Sequence, residues 1–167
     1  LPFVAMEIRN RVAVITGGGG GIGSATARKW IDEGARVVVV ADYDKVAAET
    51  VANELGCIGV GLDVTDENAM QKFVDEIEDT HGPIDIFFSN AGAGAEGGIE
   101  ASNEAWQKQW ELHVMSHVYA ARAVIPSMTA RGEGYLVATA SAAGLLAAVG
   151  SAPYSAVSYT HLRAHET

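Results

Sequence analysis

Five consecutive glycines, Gly17 to Gly21, stand between an apolar, strand-like stretch over residues 12–15 and a helix-like stretch that opens near Ile22. Backbone without side chains can turn tightly and lie against a phosphate. The free N–H groups and positive dipole end of the following helix attract an anion such as a pyrophosphate. Two glycine frames overlap in the run. Gly18, Gly20 and Gly23 fit a G-x-G-x-x-G spacing, while Thr16, Gly17, Gly21, Ile22 and Gly23 fit the narrower T-G-x-x-x-G-I-G.

Context gives the run its meaning. A second strand-like stretch, 36–41, is rich in valine and closes at Asp42, about 20 residues beyond the last glycine, where an acid takes the ribose hydroxyls of a dinucleotide. A carboxylate there repels a 2′-phosphate, and the next residue is Tyr43 rather than a base, so NAD is expected over NADP. The competing reading of Asp42 is a strand-end or helix-capping acid.

Strand-like stretches at 11–16, 36–42, 58–63, 84–90 and 134–140 alternate with helix-like stretches at 22–33, 45–55, 67–81 and 102–131. Such alternation implies right-handed βαβ crossovers and a parallel sheet covered on both faces, an α/β Rossmann-type doubly wound fold. The unbroken run of Val37, Val38, Val39 and Val40 agrees, because a strand buried on both faces has no polar alternation. Gly34 stands where a helix C-terminal cap is expected, and Asp66 and Ser102 stand at N-cap positions. One domain over 11–156 is expected after an N-terminal extension, 1–10, with Met6 a candidate initiator since the chain begins at Leu1.

Size and charge narrow the function classes. With 167 residues, 49% hydrophobic and 19% charged, the chain suits one domain with a sizeable core. A net charge of -10 with no basic block argues against a nucleic-acid partner. No apolar run suits a bilayer span, and residues 1–5 are too short for a secretory core. The single cysteine, Cys57, forms no intrachain disulfide and reads as a small core residue, which suits a reducing cytoplasm.

The chain resembles the short-chain dehydrogenase/reductase family. Thr16, Gly17, Gly21, Ile22 and Gly23 carry the resemblance, with Asp42, Asp63, Val64, Asn90, Ala91, Gly92, Ser141 and Tyr154, all in the family's order. The resemblance implies hydride transfer between NAD and a small secondary alcohol or ketone. It implies a cofactor site of Thr16, Gly17, Gly19, Gly20, Gly21, Ile22, Gly23, Asp42, Tyr43, Asp63, Val64, Asn90, Ala91 and Gly92. In the family the aspartate at Asp63 bonds the adenine, helped by the next amide, and the asparagine at Asn90 ties neighbouring strands. Ser141 would hold the substrate oxygen and Tyr154 would act as acid/base. A phenol of pKa about 10 does this poorly at neutral pH unless its anion is stabilised, and in the family a lysine four residues on supplies that. Members commonly form homodimers or homotetramers through the helix corresponding to about 118–131 and the one after the tyrosine.

Two departures stand out. His113 occupies the place of the family's helix asparagine, which anchors a water in the proton relay; it either takes over that role, making it a third catalytic residue, or marks a subgroup. Ser158 occupies the place of the lysine. Residues 157–167, VSYTHLRAHET, lack the amphipathic pattern expected of the helix that begins at Tyr154. Read back as codons, they match the end of a transposon-type sequencing adaptor. The expectation is a domain incomplete at its C-terminus, native to about Ala156, with a non-native tail and no activity as written. His161 and His165 imitate a metal pair at helical spacing, but no further ligands accompany them and no metal is expected. Two other readings remain open: a non-catalytic nucleotide-sensing protein on the same fold, and a methyltransferase, which leaves Asn90, Ser141 and Tyr154 unexplained.

Overall fold

The computed structural model describes residues 6–146 and 148–163. Its strands are β1 (Val12–Thr16), β2 (Val37–Asp42), β3 (Ile58–Gly61), β4 (Ile86–Ser89) and β5 (Tyr135–Ala138). Its helices are α1 (Gly21–Asp32), α2 (Lys45–Leu55), α3 (Glu67–His81), α4 (Asn103–Trp110), α5 (Ser116–Arg131) and α6 (Ala152–Arg163). The strands form one parallel sheet in the order β3-β2-β1-β4-β5. The chain works outward from β1 on one side and then on the other, so the order reverses between β1 and β4. In a doubly wound sheet that crevice, beyond the strands' carboxyl ends, is where ligands bind.

The valine-rich strands serve two cores at once. Successive strand residues point to opposite faces. Val12, Val14, Val39 and Phe87 therefore pack against Phe73 and Val74 of α3 and Val124 of α5. Ala13, Ile15, Val38 and Val40 pack on the other face against Ala27 and Trp30 of α1 and Ala48 of α2. Every residue of β1 is buried. At the far end of the sheet Asp85 accepts the Val12 N–H at 2.8 Å and lies 3.3 Å from both Arg11 and Arg131, which joins β1, β4 and α5.

The caps stand where the sequence places them. Asp66 accepts the N–H groups of Asn68 and Ala69, Ser102 accepts that of Ala105, and Gly34, at φ 85°, follows α1 with its N–H on Ile31. Element ends are tighter than expected. β3 ends at Gly61 rather than 63, because Asp63 leaves the ladder to accept both the N–H and the hydroxyl of Thr65. The helical stretch expected over 102–131 is interrupted by a π turn, Glu111–Met115, with His113 at its centre. Cys57 is half-buried just ahead of β3, and burial raises its thiol pKa.

α6 runs through 157–163 despite the weak amphipathic pattern there. Residues 1–5, with the secretory-core argument, and 164–167, with His165, lie outside the described residues, as does the side chain of His161. Among the described residues no helix is long and apolar enough to cross a membrane, and no group of three or more His, Cys, Asp or Glu could hold a metal.

Candidate active site

The glycine run folds as a cradle because neighbouring backbone leaves no room for side chains. Gly17 sits at φ 63°, and a Cβ there would lie 2.7 Å from the Ala91 Cα. At Gly23 a Cβ would lie 2.2 Å from the Gly17 carbonyl oxygen, so α1 packs directly on the end of β1. Gly20 and Gly21 differ: a Cβ on either would meet nothing within 4 Å. Gly20 caps α1 without any side-chain bond, and no acid occupies the first turn. The helix start therefore presents donors and a positive dipole end to open space, which suits an anion.

Asp42 joins the end of β2 to this cradle. Its carboxylate accepts the Gly19 N–H at 2.9 Å and the Asp44 N–H at 3.0 Å, and a Cβ on Gly19 would lie 2.9 Å from Asp42 Oδ2. Tyr43 beside it is 82% exposed.

Thr16 and Asn90 bind the strand ends together. The Thr16 hydroxyl accepts the N–H groups of Asn90 at 3.0 Å and Ala91 at 3.1 Å. The Asn90 amide donates to the carbonyls of Thr16 at 3.1 Å and Gly17 at 3.2 Å, and its Oδ1 accepts from the Thr139 hydroxyl at 2.7 Å. Thr16 is itself buried, so it supports the loop from within.

Two clefts open at the carboxyl ends of the strands. One, of about 900 Å³, is lined by Asp42, Tyr43, Asp63 and Val64 on one side and by Lys108 and Leu112 on the other. The second, of about 560 Å³, is lined by Ile22, Asn90, His113, Ser141, Tyr154 and Ser158. They share Gly17, Asp42, Ala91, Gly92 and Ala93, so together they form one groove. Of the residues picked from the sequence, Thr16, Gly19, Gly20, Gly21 and Gly23 line neither cleft; they shape the loop at its edge.

Ser141 follows β5 and accepts the Ala143 N–H at 3.1 Å, starting a 3-10 turn. Tyr154 lies in the first turn of α6. One turn later Ser158 is buried and donates to the Tyr154 carbonyl at 2.7 Å. The imidazole of His113 stands edge-on to the Tyr154 ring, with centroids 5.1 Å apart and an interplanar angle of 74°. His113 Nε2 lies 2.9 Å from the Ala93 carbonyl oxygen. Burial lowers the His113 pKa below its ordinary value, against a smaller upward pull from that hydrogen bond.

A strap absent from sequence reasoning holds the start of α6. Gly97 pairs with Ser151 in a parallel bridge, the Gly97 N–H donates to Gly150 at 2.9 Å, and the Ala152 N–H donates to Gly97 at 3.0 Å. The Ser151 hydroxyl donates to the Ala95 carbonyl. Glycine and alanine runs carry no pattern that announces such pairing. Thr139 was equally inconspicuous, its one signal being a place two residues before Ser141.

A short chain dehydrogenase family model matches residues 11–158. Meso-2,3-butanediol dehydrogenase of Serratia marcescens is 36% identical over 155 residues, covering 90% of this chain and 61% of that protein. (+)-Borneol dehydrogenase 1 of Salvia officinalis is 33% identical over 162 residues, covering 93% and 62%. A short-chain dehydrogenase/reductase of Burkholderia phymatum, solved in complex with NAD, superposes with a TM-score of 0.92 at 32% identity, over 97% of this chain and 60% of that one. The chain spans about three fifths of the length of these relatives. The family model takes in the cradle, Asn90, Ser141 and Tyr154, and the agreement extends from sequence to three-dimensional superposition. By both measures the chain belongs to the short-chain dehydrogenase family.

Proposed function

We propose that this chain carries the coenzyme-binding and proton-transfer elements of an NAD-dependent oxidoreductase that interconverts a small secondary alcohol and a ketone. The observation that carries the reading is the single cleft that Gly17 and Ile22 share with Ser141 and Tyr154. Butanediol and borneol, in the names of two relatives, are secondary alcohols, which supports the substrate class.

The residues suit the coenzyme on physical grounds. The cradle is bare where a side chain would collide, and the uncapped start of α1 offers donors to a diphosphate. Gly17, Gly19, Gly20, Gly21, Ile22 and Gly23 would hold the diphosphate, with Thr16 behind them. Asp42 and Tyr43 would take the adenosine ribose, Asp63 and Val64 the adenine, and Asn90, Ala91 and Gly92 the stretch between. The Asp42 carboxylate favours NAD over NADP by repelling a 2′-phosphate. Bound there, the nicotinamide supplies or accepts the hydride. Ser141 holds the substrate oxygen, and Tyr154 takes the hydroxyl proton during oxidation and returns it during reduction. The same reading carries a cytoplasmic location and assembly as a homodimer or homotetramer through α5 and α6.

Ser158 favours a second reading. A buried serine bonded back to the Tyr154 carbonyl places no cation beside the phenol, as expected of a nucleotide sensor without redox chemistry. Under the first reading residues 157–167 are non-native, the position belongs to lysine, and the chain as written is inactive. Sequencing the source locus across codon 158 separates these: a lysine codon supports the enzyme, and finding all eleven codons for 157–167 in genomic DNA removes the adaptor explanation.

The direct experiment is NADH titration of the 167-residue chain, followed by coenzyme fluorescence and thermal shift. Saturable binding is expected, and no response in either signal overturns the coenzyme reading. The chain completed with the locus's own coding sequence beyond Ala156 is then assayed for NAD reduction with secondary alcohols. Turnover supports the oxidoreductase, whereas coenzyme binding without turnover supports the sensor.

A further inference from the structure

The π turn Glu111–Met115 places one extra residue in a helical turn, and such turns cluster at functional sites. Its central residue, His113, touches two other segments of the cleft. Its Nε2 meets the Ala93 carbonyl at 2.9 Å in the loop after β4, and its ring meets the ring of Tyr154 on α6. The third contact is a fit of shapes. A Cβ on Gly92 would lie 2.8 Å from His113 Cε1 and 3.3 Å from Nδ1, so the absence of a side chain at 92 makes room for the imidazole. The loop that receives His113 is tied a few residues on, through Ala95 and Gly97, to Ser151 and Ala152 at the start of α6. Tyr154 is thus held from two directions, by the strap through its backbone and by His113 through its ring.

We propose that His113 is a positioning residue for Tyr154, fixing the phenol ring by an edge-on contact while anchored to the Ala93 carbonyl, and is not a proton carrier. This rests on the reading of Tyr154 as the acid/base. A carrier must pass a proton from a ring nitrogen to the group it serves. Here Nε2 faces the Ala93 backbone, 2.9 Å from its carbonyl oxygen and 3.5 Å from its N–H nitrogen, and no hydrogen bond joins His113 to Tyr154 among the described residues. Burial also disfavours the imidazolium that a carrier passes through. The other titratable groups lining this cleft are Asp42, His117 and Tyr154. An edge-on aromatic pair restrains ring geometry at modest energy, as positioning requires.

The contact is tested in the 167-residue chain with ring-¹³C-labelled tyrosine, the Tyr154 signals being assigned by Tyr154→Phe. His113→Ala is expected to displace the Tyr154 ring signals and free the ring's motion, with the other tyrosines unchanged. His113→Phe keeps a ring without a nitrogen and is expected to restore the restraint. His113→Asn keeps a polar group without a ring and is expected to resemble the alanine variant. Tyr154 signals indifferent to all three changes overturn the proposal. So does restraint retained by asparagine and lost with phenylalanine, which points to polar relay instead. NADH titration of the same samples tests the underlying reading separately: loss of NADH binding with an intact ring signature removes the coenzyme and leaves the contact standing.

Discussion

The Thr139 hydroxyl donates to Asn90 Oδ1 at 2.7 Å, and through that carboxamide the end of β5 is joined to the ends of β4 and β1. Ser141, two residues past Thr139, is therefore linked to the cradle at Gly17 by a short path of hydrogen bonds. Thr139→Val removes one bond at an exposed position and should cost about 1 kcal/mol. Asn90→Ala also strips the acceptors' donor at Thr16 and Gly17 and should cost about 2–3 kcal/mol. If one network is involved, the double variant is less destabilised than the sum, which a denaturant-unfolding cycle reads directly. Strict additivity would mean that the two residues act independently.

The glycines divide into those the protein needs and those a ligand needs. Gly23→Ala forces a methyl against the Gly17 carbonyl at 2.2 Å, backbone against backbone, and should cost about 3 kcal/mol or more. Gly20→Ala adds a methyl in open space at an extended φ of -178° and should leave the melting temperature nearly unchanged. If the space at Gly20 belongs to a diphosphate, NADH affinity falls about tenfold in Gly20→Ala, or about 1.4 kcal/mol. Thermal melts alongside NADH titration check both halves, and unaltered NADH affinity in Gly20→Ala would remove the diphosphate from that space.

Much of this arrangement was legible because the signals are local. A valine run buried on both faces, a glycine run after a strand and an acid closing β2 each follow from nearest neighbours in the chain. So do the caps at Asp66 and Ser102, whose bonds span two or three residues. What escaped is non-local or lies off the hydrophobic pattern. The π turn at His113 shifts helical register by one residue without changing which residues are apolar. The strap from Gly97 to Ser151 joins segments more than 50 residues apart through backbone groups that every residue possesses. Asp42 reads from the sequence as a ribose ligand, yet its carboxylate also accepts the Gly19 N–H, a bond that appears only once β2 and the cradle are adjacent.

His113 makes stability depend on pH in a defined direction. Burial lowers its folded pKa below the unfolded value of about 6.5, so the unfolded chain binds more protons in that window. Stability is full above about pH 6.5 and declines as pH falls toward the folded value, levelling below it. His113→Phe cannot titrate and should flatten this part of the profile. The difference between the two chains isolates His113 from the other histidines and the carboxylates. Parallel melting curves for the two chains between about pH 5 and 7 would show that the imidazole is not desolvated.

Asp42 is asked to do two things, and a pair of substitutions separates them. Its carboxylate accepts the N–H groups of Gly19 and Asp44, so it orders the cradle before any ligand arrives. The same charge, at the end of β2, would take ribose hydroxyls and repel a 2′-phosphate. Asp42→Asn retains a side-chain oxygen that can accept from Gly19 but removes the charge. It should keep the thermal stability within about 1 kcal/mol while narrowing the preference for NADH over NADPH about tenfold. Asp42→Ala loses the acceptor as well and should weaken both coenzymes, because the Gly19 N–H is left without its partner. Comparing the binding constants of both coenzymes for the two variants decides the matter. If asparagine leaves the NADH-to-NADPH ratio untouched, charge at this position does not select the coenzyme, and the carboxylate serves the loop alone.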